Sequence, residues 1–128
     1  MTAPADRDED AGAAYLYVAQ LAIPATHEAE LNRLYDNGYV PALLQVPGVR
    51  SARRYRLEWS DVADMPEYLA IYEVDHPDVP RSQAWKDASV TCGWAEKVRP
   101  HLAVRRHGLF RKCGAGSEDR QQDASELT

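Results

Sequence analysis

NRLYDNGYVPALLQVPGVRSARRY, residues 32–55, starts as a helix, breaks, restarts, turns and enters a strand. Leu31, Leu34, Tyr35, Gly38, Tyr39 and Ala42 recur at i, i+3, i+4, i+7, i+8 and i+11 and define one helical face. Pro41 cannot continue a regular helix: it has no N–H to donate, and its ring collides with the carbonyl of Asn37. Gly38, one turn earlier, eases that collision, so a kink or broken turn is expected over 38–41. Such a break leaves backbone groups unpaired and turns Tyr39 where a regular helix would not. It is either plain architecture or the preparation of a site. Val46-Pro47-Gly48-Val49 then suits a type II turn, with proline at i+1 and glycine at i+2.

Upstream, residues 15–23 alternate, with Tyr15, Tyr17, Ala19, Leu21 and Ile23 on one face and Leu16, Val18, Gln20 and Ala22 on the other. Both faces are largely apolar, which predicts a strand covered on both sides. Pro24 ends it. Thr26 is the expected N-cap of the broken helix, and Glu28 and Glu30 sit in the first turn, where the dipole favours acids. Downstream, a second strand is predicted over 49–59. Val49, Ser51, Arg53, Tyr55, Leu57 and Trp59 share one face; Arg50, Ala52, Arg54, Arg56 and Glu58 share the other. A polar connection over 60–66 leads to a third strand over 67–75. Pro80 sits near the first position of a helix predicted over 81–97. Gly93 and the β-branched pair Val90-Thr91 weaken that helix, so packing must support it. Arg99-Pro100 closes it, and a looser alternation over 101–112 predicts the last strand.

The order is βαββαβ, the ferredoxin-like α+β arrangement of an antiparallel sheet with two helices on one face. The uncovered face is expected to carry Tyr15, Tyr17, Tyr68 and Tyr72, too large an apolar patch for a monomer. A homodimer is therefore predicted, with a second sheet as the cover.

The 128 residues suit one domain. Residues 1–13 and 114–128 each carry a net −3, so the whole-chain −5 leaves +1 for residues 14–113. Both tails are rich in small, polar and acidic residues and are expected to be disordered flanks of a domain over 14–113. No apolar run is long enough for a membrane span, and the N-terminus lacks the pattern of a signal peptide. Cys92 and Cys113 read as reduced thiols of a cytoplasmic protein. His27, His76, His101 and His107 form no HxH or HxxxH pair, so no metal site is expected. Gly114-Ala115-Gly116 precedes no helix and is not a phosphate loop. Arg50, Arg53, Arg54 and Arg56 raise a nucleic-acid reading, but a solvated strand face accounts for them better at a core charge of +1.

Asn32-Arg33-x-Tyr35-Asp36, then Val40-Pro41-x-Leu43-Leu44-x-Val46-Pro47-Gly48-Val49, then Ala52-Arg53-Arg54-Tyr55, is similar to the EthD-like branch of the dimeric α/β-barrel (ferredoxin-like) superfamily. Tyr68–Glu73, Ala84-Trp85 and Val98-Arg99-Pro100 fit as well, so the resemblance spans about residues 15–112. It implies two sheets facing each other as a barrel and a cavity between each sheet and its helices. The implied chemistry is cofactor-free and acts on a small hydrophobic, aromatic or polyketide-like compound: the expected reading is a cyclase or lyase in which Tyr39 polarises a carbonyl, with a cofactor-independent monooxygenase of the same superfamily or a non-catalytic binding protein as the alternatives. Relatives commonly carry a histidine just before V-P, where this sequence has Tyr39.

The expected site residues follow from that position. Tyr39 would donate a hydrogen bond to a substrate carbonyl or enolate, and Asp36, one turn before it, would orient a neighbour or act as a base. Tyr35, Arg54, Tyr72, Trp85 and Trp94 are the expected substrate-binding set. The Tyr39 hydroxyl is expected to face a cavity beside at least one of Arg54, Tyr72 or Trp85.

Overall fold

The computed structural model describes residues 14–114. Of the two acidic flanks expected to be disordered, only Gly114 falls within the described residues. Four strands form one antiparallel sheet: β1 (Tyr15–Ala22), β2 (Val49–Arg56), β3 (Tyr68–Val74) and β4 (Val104–Arg111). Their spatial order is β2-β3-β1-β4. Between β1 and β2 lie α1 (Glu28–Leu34), a π-helical turn (Tyr35–Tyr39) and α2 (Val40–Leu44). Between β3 and β4 lie α3 (Gln83–Ser89) and α4 (Trp94–Lys97). This is the ferredoxin-like α+β fold, with the helices on one face of the sheet. Among the described residues no helix is long and apolar enough to cross a membrane.

The expected break is present but begins earlier than 38–41. Pro41 cannot donate to Asn37, and the chain widens before reaching it: the Val40 N–H bonds to the carbonyl of Tyr35 in the i→i+5 pattern. Pro41 then falls in the first turn of α2, where a missing N–H is harmless. Gly38 has a second reason to be glycine. A Cβ there would lie 2.5 Å from the Cβ of Cys92, so the turn after α3 packs directly on the helix backbone. The type II turn forms as expected, with Gly48 at φ 93° and the Val49 N–H bonded to the Val46 carbonyl at 3.1 Å.

Other expectations are corrected in detail. The single helix over 81–97 is two short ones. Ser89 and Thr91 hydroxyls donate to the carbonyls of Lys86 and Ala88, competing with the next helical turn. Gly93 then adopts φ 82° and reverses the chain. Thr26 lies in a 3₁₀ turn, and His27 occupies the N-cap without a side-chain bond. β2 stops at Arg56 rather than Trp59, which is 78% exposed beyond the sheet.

The two sheet faces are the reverse of what the aromatic pattern suggested. Directly paired residues point to one side, and Tyr17 pairs with Tyr72 and Leu21 with Tyr68. Tyr68 and Tyr72 are buried beneath the helices, in one core with Leu31, Leu43, Val74 and Val98, and Tyr15 and Tyr17 pack against that core. The open face carries a different apolar set: Leu16 opposite Phe110, Val18 opposite Ile71, and Tyr55 opposite Leu69. Phe110 and Tyr55 are exposed there.

Candidate functional site

The widened turn brings Tyr35 and Tyr39 inward, four residues apart. Tyr39 stacks on Trp94 with ring centroids 4.8 Å apart and 25° between planes. Its ring meets Tyr35 edge-on at 5.1 Å, and Tyr35 meets Trp94 the same way at 4.8 Å. The Tyr72 hydroxyl donates to that of Tyr35 across 3.4 Å. Trp85, whose backbone N–H is held by Ser82 at the start of α3, packs edge-on against Tyr72 and Tyr17 at 5.3 and 5.2 Å. Tyr17 stacks on His107 at 5.7 Å. A continuous series of rings therefore runs from the helices, across the sheet, to the edge strand β4.

Five of the expected residues meet in this cluster: Tyr35, Tyr39, Tyr72, Trp85 and Trp94. The ring contacts of Tyr39 are with Tyr35 and Trp94; Tyr72, one of the neighbours expected for it, is near enough for the two hydroxyls to interact electrostatically and is hydrogen-bonded to Tyr35. No described residue is hydrogen-bonded to the Tyr39 hydroxyl, which also does not count among the fully buried unpartnered atoms. Arg54 and Asp36 form a separate clamp. The Arg54 guanidinium donates to Asp36 at 2.8 Å and to Asn32 at 2.7 Å while lying 4.6 Å over the Tyr35 ring. The Asp36 carboxylate is 60% exposed in that pair. Arg54 lines a small groove of about 230 Å³ with Asn32, Arg56 and Tyr68 at the β2 edge.

A larger groove of about 410 Å³ opens at the other edge. Tyr17, His107 and Leu109 line it from the sheet, and Pro77, Asp78 and Arg81 line it from the loop before α3. Tyr39 is not among its walls. That volume lies in the ~300–1,000 Å³ range usual for small-molecule sites. The sequence reading missed Tyr17 and His107 as site residues, together with Arg99 and Arg105. The pairing of Ala19 with His107 and Leu21 with Arg105 shows that alternate residues of β4 share the face of Tyr17. Only strand register, which sequence leaves open, could reveal that.

The electrostatics separate donors from acceptors. Burial pushes the phenols of Tyr35 and Tyr72 up, and that of Tyr39 far up, with the nearby Tyr35 and Tyr17 adding to it and Arg99 and Arg105 opposing. These groups stay protonated at neutral pH and can donate. Burial lowers the His107 imidazole, and the charges of Arg105 and Arg99 lower it further. It is neutral at pH 7 and can accept. Arg99 adds a buried Nε without a partner. Among the described residues no three His, Cys, Asp or Glu side chains gather as a metal site would need.

This architecture defines a class by fold alone, the ferredoxin-like α+β proteins. No protein-family profile matches the sequence, and no curated protein matches it. Solved structures do. An EthD-family protein from Bacillus halodurans is similar at 12% identity and TM-score 0.57, over 77% of this chain and 99% of that one. SnoaB, a cofactor-independent oxygenase from Streptomyces nogalater, is similar at 19% identity and TM-score 0.56, over 79% and 94%. A dimeric ferredoxin-like protein from Thermobifida fusca is similar at 16% identity and TM-score 0.50, over 77% and 90%. At these identities the likeness shows the ferredoxin-like fold alone.

Proposed function

We propose that this chain is a cofactor-free enzyme acting on a small hydrophobic, aromatic or polyketide-like compound, and that its chemistry is oxygenation of an activated ring carbon. The observation that carries the reading is the ring cluster between sheet and helices, where phenols held protonated by burial stand beside two arginines. A CH₂ group conjugated to a carbonyl or phenol can lose a proton to a base and leave an electron-rich anion. Protein donors and cations stabilise such an anion in a partly dry site. The anion reduces dioxygen; one oxygen atom remains as a carbonyl and the other leaves as water, so the substrate supplies the electrons. The shared fold with a protein described as a cofactor-independent oxygenase supports this reading.

The test is oxygen uptake by the purified protein with a panel of hydroxylated anthrones and naphthols. Turnover of any member in the absence of added cofactor, reduced by Tyr39→Phe, is the expected result. Oxygen-independent conversion of a carbonyl compound would select a second reading, a cyclase or lyase in which Tyr39 polarises the carbonyl. The Tyr39 hydroxyl, without a hydrogen-bond partner among the described residues, supports that role. Assembly belongs to the same proposal. The open sheet face with Leu16, Val18, Ile71 and Phe110 supports a homodimer, the partner's sheet closing the barrel. Light scattering should give twice the 14.4 kDa chain mass, and Phe110→Glu should shift it toward monomer.

A further inference from the structure

The reading above needs a proton acceptor, and Tyr39, held protonated, is a donor. The carboxylates expected or found nearby serve poorly. Asp36 is tied to Arg54 at 2.8 Å and faces solvent. Asp78 lines the larger groove, but its side chain is 75% exposed and lies 3.6 Å from His76. A solvated carboxylate is a weak base. His107 is also on the exposed edge strand, but it is an imidazole with no ion-pair partner among the described residues. It projects from β4 toward the helix side of the sheet, because its register partner Ala19 does. Its ring stacks on Tyr17, and both rings form the floor of the groove. No described residue bonds to either of its nitrogens.

We propose that His107 is the proton acceptor of this protein and that its groove takes a planar hydroxyaromatic or enolic compound, held against the Tyr17–His107 pair as its anion. The step is simple: the O–H bond of the phenol, or of the enol tautomer of the CH₂ compound, breaks, an N–H bond forms on the imidazole, and the electron pair stays on the substrate as the same delocalised anion. Arg81 on the groove rim and Arg105 on β4 supply positive charge for that oxygen. The groups facing the imidazole are Tyr17 from β1, Arg105 from its own strand, Arg99 from the turn after α4, and Asp78 and Arg81 from the loop across the groove. Three of these are cations and one is an acid, so a neutral ring that gains its proton only together with a bound anion suits the surroundings. The inference rests on the cofactor-free reading and names its base and substrate class.

The probe is 4-nitrophenol, whose anion absorbs visible light and whose neutral form does not. Added to the full-length protein at mildly acidic pH, it should bind with a larger anionic fraction than the free dye shows. His107→Phe keeps a ring for stacking and removes the acceptor; it should still bind the dye, mainly in its neutral form. His107→Ala should weaken binding at least fivefold. A purely structural histidine would change affinity or stability and leave the ionisation of the bound dye alone. Equal anionic fractions in wild type and His107→Phe, or no binding to wild type at millimolar dye, would overturn the assignment. Loss of the anionic signal in Tyr39→Phe but not in His107→Phe would also overturn it while leaving the proposed function intact. Ionisation that depends on His107, in a protein that turns over none of the panel compounds, would uphold the acceptor and remove the enzyme reading instead.

Discussion

Replacing Tyr39 separates its hydroxyl from its ring. The hydroxyl has no hydrogen-bond partner among the described residues, whereas the residue as a whole is only 9% exposed and its ring is packed on Trp94 and Tyr35. Tyr39→Phe removes only the hydroxyl and should change folding stability by less than about 0.5 kcal/mol, since no intramolecular bond is lost. Tyr39→Ala removes the ring as well. Truncating a buried aromatic typically costs about 3–5 kcal/mol in lost transfer energy and cavity formation. At roughly 4–8 °C per kcal/mol for a domain of this size, that is a fall of about 12 °C or more in Tm. Urea denaturation of both variants gives the two values directly, and a cycle with Trp94→Ala isolates a stacking term of about 0.5–1.5 kcal/mol. A Tyr39→Phe protein destabilised by more than about 1.5 kcal/mol would refute the reasoning, because the hydroxyl would then be a structural bond and not a free donor.

Gly38→Ala should destabilise by about 1–3 kcal/mol, since the new methyl would overlap Cys92. Cys92→Gly in the same chain should restore part of the loss, which chemical denaturation can measure. Arg54→Lys loses the fork that spans Asp36 and Asn32 and the contact over Tyr35, and should cost about 1–2 kcal/mol by the same measure. The His107 imidazole should titrate below its ordinary value of about 6.5 in an NMR pH series, and Arg105→Gln should move it part of the way back. With the folded value depressed, its contribution to stability is fully present above the unfolded value and is lost as pH falls through the folded one. A titration at or above the ordinary value would contradict the lowering that partial desolvation and the charges of Arg105 and Arg99 give it.

The fold was legible because its signals are local. The alternation of β1, the proline-glycine turn at 47–48 and the split of β2 into an Arg54 face and a Tyr55 face all follow from chain chemistry within a few residues, and the structure reproduces them. The aromatic core was legible in membership, since Tyr35, Tyr39, Tyr72, Trp85 and Trp94 are large rings at buried positions. Their arrangement was not. Which sheet face the tyrosines of β1 and β3 occupy depends on which side the helices take, and alternation alone is symmetric to that choice. His107 was hidden for the same reason: on a loosely patterned edge strand, only the pairing of Ala19 with His107 places it beside Tyr17.

The π turn also bears on how this chain lines up with others. It gives the helix one more residue than an α-helical turn of the same span, and each residue is worth about 100° of rotation. Past it the inward position has moved from Ala42, expected from the upstream period, to Leu43, which is fully buried. A relative whose helix runs straight would have one residue fewer here. Counting back from Val40-Pro41 makes Tyr39 the counterpart of the residue before V-P. Counting forward from Asn32-Arg33 in such a relative assigns that place to Gly38. The chemical character given to this position therefore depends on where the gap is set, and superposed backbones, not matched letters, are what decides between the phenol of Tyr39 and the bare backbone of Gly38.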